Sequence, residues 1–350
     1  MNGVETEDPE GRLGDGEGTA LWTYLAAVMA ALSASLPTGA EEVAVDEISE
    51  RVFEVLTGRD FCYLSKIQVA PYRERVLALI REMARAAEPI RFYYDLGAGY
   101  HATTHPGEKE LCFDVGLAEL LVLRQVRSFS ARVRTFYSPG VTFSLVIDNM
   151  AALLINDIDT AKTLRYCRQF RELIRHLGLD TMVDLLVESE HFSVADFDRL
   201  GISAAYQTGN PGALTRQQHA NVERFLGRPC EEVEAIERAA RYRAVIGTSD
   251  RLLDLLIQGV HMTQRATDTT ICFRPFPGGD SRIQCGEVAL TRNAKGTLCP
   301  ILLTSHKVKE FSSRRYRFPG LLPPMIPDVT YAERINGRHP VTSPGQRARP

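Results

Sequence analysis

The sequence predicts an α/β protein: a Rossmann-like, mostly parallel sheet flanked by helices, completed by a mixed α+β C-terminal part. Three observations carry this expectation. Through the first half, amphipathic segments with apolar residues at 3.6-residue spacing alternate with short apolar runs. One of those runs, Val141–Ile147 (VTFSLVI), is apolar on both alternating sets of positions, as strands covered on both faces are. In the second half, short β-type segments succeed one another across brief connections, which suits antiparallel pairing.

Taken in order, residues 20–36 read as a buried helix, and residues 45–56 and 72–87 as amphipathic helices. Pro89 stops the last of these, and Ile90–Asp95 comes next as a strand. Residues 117–135 form a helix whose polar side carries Arg124, Arg127, Arg132 and Arg134. Pro139-Gly140 turns the chain into the strand Val141–Ile147, and residues 160–177 are again helical, ending at Gly178. Helix is expected over 216–246 and again over 250–256, and strands over 269–273, 283–290 and 298–304. The expected organisation is a disordered acidic N-terminus (1–18), a Rossmann-like region (19–200), a helical and antiparallel-strand region completing the same globule (201–332), and a flexible basic tail (333–350).

Composition narrows the function. With 41 Lys+Arg against 44 Asp+Glu, the formal net charge of −3 argues against dedicated nucleic-acid binding. The hydrophobic share of 44% excludes a disordered chain, and a chain of this length buries enough surface to fold without disulfides. The seven cysteines (62, 112, 167, 230, 272, 285 and 299) include no C-x-x-C pair and read as reduced residues, which points to the cytoplasm. Residues 20–36 carry no charge, yet Glu5, Glu7, Asp8, Glu10, Asp15 and Glu17 precede them where a signal peptide needs a basic segment. The stretch is also too short and too rich in Ala and Ser to span a bilayer, so no membrane role is expected. Small-molecule chemistry is the remaining class.

Ligands of parallel α/β sheets bind beyond the C-terminal strand ends. The loops after Asp95 and Ile147 are therefore the first candidates. Asp95-Leu-Gly97-Ala-Gly99-Tyr100-His101 places an acidic residue before G-x-G directly after a strand, as nucleotide and S-adenosylmethionine sites do. A third glycine and a good helix start are missing, so a glycine-rich turn is the other reading. His101 and His105 have the i, i+4 spacing of zinc ligands but lack the glutamate of H-E-x-x-H, so acid/base work in a cleft is preferred and no metal is expected. Asp148 and Asn149 close the apolar strand, with Asn156 and Asp157 beyond. They suit a ligand amine or hydroxyl, or else Asp148 caps the next segment. Arg274, Arg292, Lys295, His306, Lys307 and Lys309 form a basic region that is either a solvated face or a binding site for phosphate or carboxylate.

The run from about residue 45 to 310 resembles the isocyanide (isonitrile) synthase family, which includes pyoverdine/paerucumarin-type synthases and the fungal dityrosine-biosynthesis enzyme. Ile48-Ser-Glu-Arg-Val-Phe-Glu-Val-Leu56 is similar to its opening helix and Glu88-Pro89-Ile90-Arg91-Phe92 to its Pro-Ile strand. Glu108-Lys109-Glu110-Leu111 and Leu117-Ala-Glu-Leu-Leu121 resemble the stretch after that strand. Tyr137-Ser-Pro-Gly140 through Asp148 resembles the P-P-G…S-D-G segment, and Arg171-Glu-Leu-Ile-Arg-His-Leu-Gly-Leu179 the next helix and exit. The chain departs from the family in the loop after the first strand. There Asp95-Leu-Gly-Ala-Gly-Tyr-His-Ala-Thr-Thr104 stands in place of a lysine-bearing loop, and Asp148-Asn149 replaces D-G.

The resemblance implies an enzyme of specialised metabolism. It would condense an amino-acid amine with the ketone of ribulose 5-phosphate or a similar sugar phosphate, with no metal or redox cofactor. His101 and His105 would serve as acid/base groups and Asp148 would hold the amine. Lys109 or Arg274 would hold an anion, and Asp95, Tyr100, Asn149, Asp157 and Lys307 would complete the substrate contacts. Small-molecule substrates and downstream tailoring enzymes are the expected partners. Two other readings stand beside it. One is a methyltransferase binding S-adenosylmethionine through Asp95-x-Gly97-x-Gly99, with Asp114 on the ribose; the other is a non-catalytic relative that binds a small ligand.

Overall fold

The computed structural model describes residues 16–38, 43–62, 66–97, 99, 101–102, 111–156, 158–199, 229–263, 271–275, 287–303 and 310–335. The helices are α1 (Gly16–Ser33), α2 (Val45–Thr57), α3 (Lys66–Val69), α4 (Arg73–Arg85), α5 (Leu117–Arg134), α6 (Asn149–Asn156), α7 (Thr160–His176), α8 (Glu188–His191), α9 (Val194–Arg199) and α10 (Glu232–Leu256). The strands are β1 (Ile90–Asp95), β2 (His101–Ala102), β3 (Leu111–Cys112), β4 (Val141–Ile147), β5 (Val183–Val187), β6 (Val260–Thr263), β7 (Ile271–Cys272), β8 (Glu287–Arg292), β9 (Leu298–Leu303), β10 (Phe311–Tyr316) and β11 (Val329–Arg334).

The expected α/β class is what the structure has. The first sheet is parallel throughout, in the order β5-β4-β1-β6-β7. The chain builds β1, β4 and β5 outward in one direction and then returns to the other side of β1 for β6. This is the doubly wound arrangement, and the order reverses between β1 and β6. Two covered faces explain the apolar strand sequences. Phe92, Tyr94, Phe143 and Leu145 face the main core with α5 and α7, whereas Tyr93 and Val146 meet Leu253 of α10 on the opposite face. Phe61, Phe92, Phe129, Phe143 and Phe273 fill the centre of the main core, with ring centroids 5.2–6.5 Å apart.

A second sheet, β10-β11-β8-β9, packs Val288, Leu290, Leu302 and Tyr331 into the same core. Its β8–β9 and β10–β11 pairs are antiparallel, and β11 meets β8 in parallel. Helix α1 buries Leu21, Leu25, Val28 and Leu32 along one stripe. No helix of the described residues is long and apolar enough to cross a membrane.

Four expectations need correction. The segment around Ile271 is not antiparallel: β7 extends the parallel sheet beside β6, because Ile271 and Phe273 fill the same core face as their neighbours. The separate helices expected over 216–246 and 250–256 are, within the described residues, the single helix α10, since nothing at Gly247–Ser249 interrupts its backbone bonding. The N-terminal part is helical from Gly16, where Glu17 pairs with Arg292 at 3.0 Å. Glu333 and Arg334, which the sequence reading puts in the tail, belong to β11 and pair with Ser312 and Phe311.

Candidate functional site

The C-terminal ends of adjacent strands bring together groups from distant parts of the chain. Asp95 ends β1, Asp148 comes directly after β4, and Glu188 directly after β5. Register makes this arrangement a consequence of the strands: Asp95 pairs with Val146, and Ile147 with Val187, so that Asp148 and Glu188 stand side by side one step further on. Beside Asp95 on β6 is His261, whose Nε2 lies 2.9 Å from Asp95 Oδ1. That pair spans the two strands between which the sheet order reverses, where such sheets hold their ligands. Arg274 lies just past β7 at the end of the same row, with its backbone N donating to Phe61 O at 2.8 Å. Two strand spacings, about 10 Å, separate that strand from β1.

Helix α10 adds a second tier. Ser249 Oγ donates to Glu188 Oε1, and Met150 N donates to Glu188 Oε2 at 3.3 Å. Asp250 and Asp254, one turn apart on α10, face the same region electrostatically. Glu188 is fully buried, and its acid is pushed up to about 8 by burial first and then by the charges of Asp148 and Asp95. Burial, and after it the charge of Asp95, raises Asp148 to about 7. Its Oδ1 is sealed from solvent and has no hydrogen-bond partner among the described residues, so the expected capping bond is not made by that atom. For His261, burial disfavours the charged ring, but the Asp95 bond and the charges of Asp95, Asp250 and Asp254 outweigh it and raise its pKa.

Asn149 is spent on the protein itself. Its Nδ2 donates to Thr163 Oγ1 at 3.1 Å and to Ser189 Oγ at 2.7 Å, and its Oδ1 accepts from Ser189 N at 3.0 Å. It is 0% exposed. The expected substrate contact gives way to a clamp that holds the end of β4 against the turn after β5.

The loop after β1 departs from a nucleotide-binding turn. Gly97 and Gly99 both have positive φ, at 112° and 78°. Gly97 O accepts from Asp148 N at 3.2 Å, so the loop continues the β1–β4 ladder. A Cβ on Gly99 would come within 3.2 Å of Tyr166, 3.3 Å of Ile147 and 3.5 Å of Thr163. This glycine therefore makes room for protein side chains. The chain then enters the hairpin β2–β3, where a phosphate-binding helix would have to start. Asp114, the expected ribose ligand, instead accepts from Arg165 at 2.7 Å and Gln169 at 3.0 Å. His101 lies in β2 opposite Cys112. Tyr100, His105, Lys109, Asp157 and Lys307 lie outside the described residues.

Glu188, Ser249, Asp250, Asp254 and His261 are the members of this site that sequence reasoning missed. Glu188 and His261 belong to strand ends whose place in the sheet is decided by tertiary pairing, and Ser249, Asp250 and Asp254 to a helix that packs over them. A signal did exist for Glu188, since Val183–Val187 is a short, mostly apolar run followed by an acid, as Val141–Ile147 is followed by Asp148.

No protein-family profile matches the chain, and no curated protein matches its sequence. The fold does match solved structures. Among them is the PvcA protein from Pseudomonas aeruginosa, with a TM-score of 0.58 and 16% sequence identity over 81% of this chain and 99% of that one.

Proposed function

We propose that the protein is a divergent isonitrile synthase-like enzyme, joining a substrate amine to the carbonyl carbon of a second, anionic substrate. One observation carries the reading: a row of strand ends that passes from buried acids (Glu188, Asp148) through a carboxylate–imidazole pair (Asp95–His261) toward Arg274, just past β7. Chemistry that makes a carbon–nitrogen bond from an ammonium and a ketone uses these three functions. Carboxylate charge at the strand ends attracts the ammonium, an acid/base group moves protons, and a cation holds the phosphate or carboxylate of the partner. The fold shared with PvcA and the sequence resemblance to the isonitrile synthases point the same way. Proton transfer suffices for the condensation, so the reading calls for neither S-adenosylmethionine nor a metal. Tailoring enzymes would take the product onward.

The test is mass spectrometry of the purified protein incubated with ribulose 5-phosphate and the twenty amino acids. The expected product keeps the amino nitrogen and gains one carbon. A mixture that yields no such product, while S-adenosylmethionine raises the melting temperature and is consumed, would overturn the reading in favour of methyl transfer.

A further inference from the structure

We propose that His261, fixed by Asp95, is the group that moves protons during this condensation, and that its working atom is Nδ1. The inference rests on the function proposed above and assigns a role that no motif indicated.

The geometry decides which nitrogen works. Asp95 Oδ1 sits 2.9 Å from Nε2, so the neutral ring carries its proton on Nε2 and presents a lone pair at Nδ1. Among the described residues, Nδ1 has no hydrogen-bond partner. The side chain keeps 17% of its exposure, so the ring is anchored without being sealed. The pair also bridges β1 and β6 across the reversal of strand order, which puts the imidazole at the centre of the row. To one side lies Asp148, whose Oδ1 is buried and unpartnered among the described residues. The groups that face His261 are Asp95 on β1 and Asp250 and Asp254 on α10, all acidic, so its cationic form is well supported.

The step balances without any further reagent. Nδ1 takes a proton from R–NH3+, leaving R–NH2 and an imidazolium. The nitrogen lone pair forms the C–N bond to the carbonyl carbon, and a proton shift from nitrogen to oxygen gives the neutral carbinolamine. The imidazolium then returns its proton to the carbinolamine hydroxyl, the C–O bond breaks, and water leaves as the iminium forms. Net, R–NH3+ and a ketone become an iminium and water, and the imidazole is restored. Asp95 acts as a positioning residue, holding the ring and supporting its charge.

The experiment compares wild type with His261→Gln, His261→Ala and Asp95→Asn, after circular dichroism has shown that each is folded. For His261→Gln, kcat should fall about 100-fold or more while KM for the amine changes little. In His261→Ala, added imidazoles should restore part of the rate, in an order that tracks the pKa of the added base; a merely structural histidine would give no such dependence. Asp95→Asn should lower kcat and move the imidazole titration, monitored by NMR, to lower pH. Wild-type turnover together with a His261→Gln enzyme within threefold of it, or a His261→Ala enzyme indifferent to added imidazoles, overturns this assignment alone. If folded wild type forms no product from any amino acid, the functional reading falls and this assignment falls with it.

Discussion

Asp148 and Glu188 occupy equivalent positions one residue beyond the paired Ile147 and Val187, so two acids stand at the ends of adjacent strands. Burial, the larger cause for both, and a neighbouring carboxylate, Asp95 for Asp148 and Asp148 for Glu188, hold them above the usual carboxylate range, at about 7 and about 8. The consequence for stability has a definite sign. Unfolded, both groups lose their protons near pH 4; folded, they keep them to about pH 7–8. The folded protein thus binds more protons between those limits, and its stability falls as pH rises through them. Glu188→Gln keeps an acceptor for Met150 N and can donate its amide to Ser249 Oγ, but cannot ionise. It should gain on the order of 2–4 kcal/mol relative to wild type on going from pH 5 to pH 9. Urea denaturation of both proteins at the two pH values checks this, and equal pH slopes would contradict it.

The Asp95–His261 pair has a linkage of the same sign from a different cause, the loss of a favourable charge as pH rises. The folded imidazole has a raised pKa, so its contribution is fully present below the unfolded value near 6.5 and is lost as pH rises through the folded one. Asp95→Asn removes the hydrogen-bonded charge. Wild type should therefore exceed this variant in stability by more at pH 5.5 than at pH 9. Thermal melts at the two pH values measure the difference, and the pair would carry no linkage if the gap stayed constant.

The sequence announces this fold better than this site, and particular residues show why. Ile90–Asp95 and Val141–Ile147 are readable to the residue because a strand covered on both faces must be apolar at successive positions. His261 sits in a four-residue strand just after Gly259, and nothing local says that it will dock beside β1. Its partner lies 166 residues earlier, a separation no periodicity can bridge. Asn149 misleads in the other direction: an amide after a strand looks the same in sequence whether it meets a ligand or, as here, Thr163 and Ser189. The G-x-G after Asp95 likewise reads as a cofactor turn until Tyr166 and Ile147 are found against Gly99.

Asn149 offers a direct check on the clamp between β4 and β5. Asn149→Ala leaves Ser189 N without its acceptor in a part-buried setting and opens a small void beside Thr163. An unsatisfied buried donor costs about 1–3 kcal/mol, so the melting temperature should drop by several degrees. Activity assayed well below the melting temperature should fall chiefly through misplacement of Asp148 and Glu188, the neighbours of the clamp. A variant as stable as wild type would mean that the amide is not needed to join the strand ends.

Gly99 separates the two uses of the loop after β1. At φ +78° a side chain is strained, and its Cβ would press on Tyr166 and Ile147 at 3.2 and 3.3 Å. Tyr166 cannot give way freely, because its hydroxyl donates to Glu119 at 2.9 Å, and Glu119 in turn accepts from Gly116 N at 2.7 Å at the start of α5. Gly99→Ala should therefore destabilise the fold by about 1–3 kcal/mol, with the loss appearing in denaturant unfolding without any ligand present. A glycine reserved for the approach of a nucleotide predicts something else. Its alanine variant would keep the stability of the ligand-free protein and lose only ligand binding, and that result would return the loop to cofactor recognition.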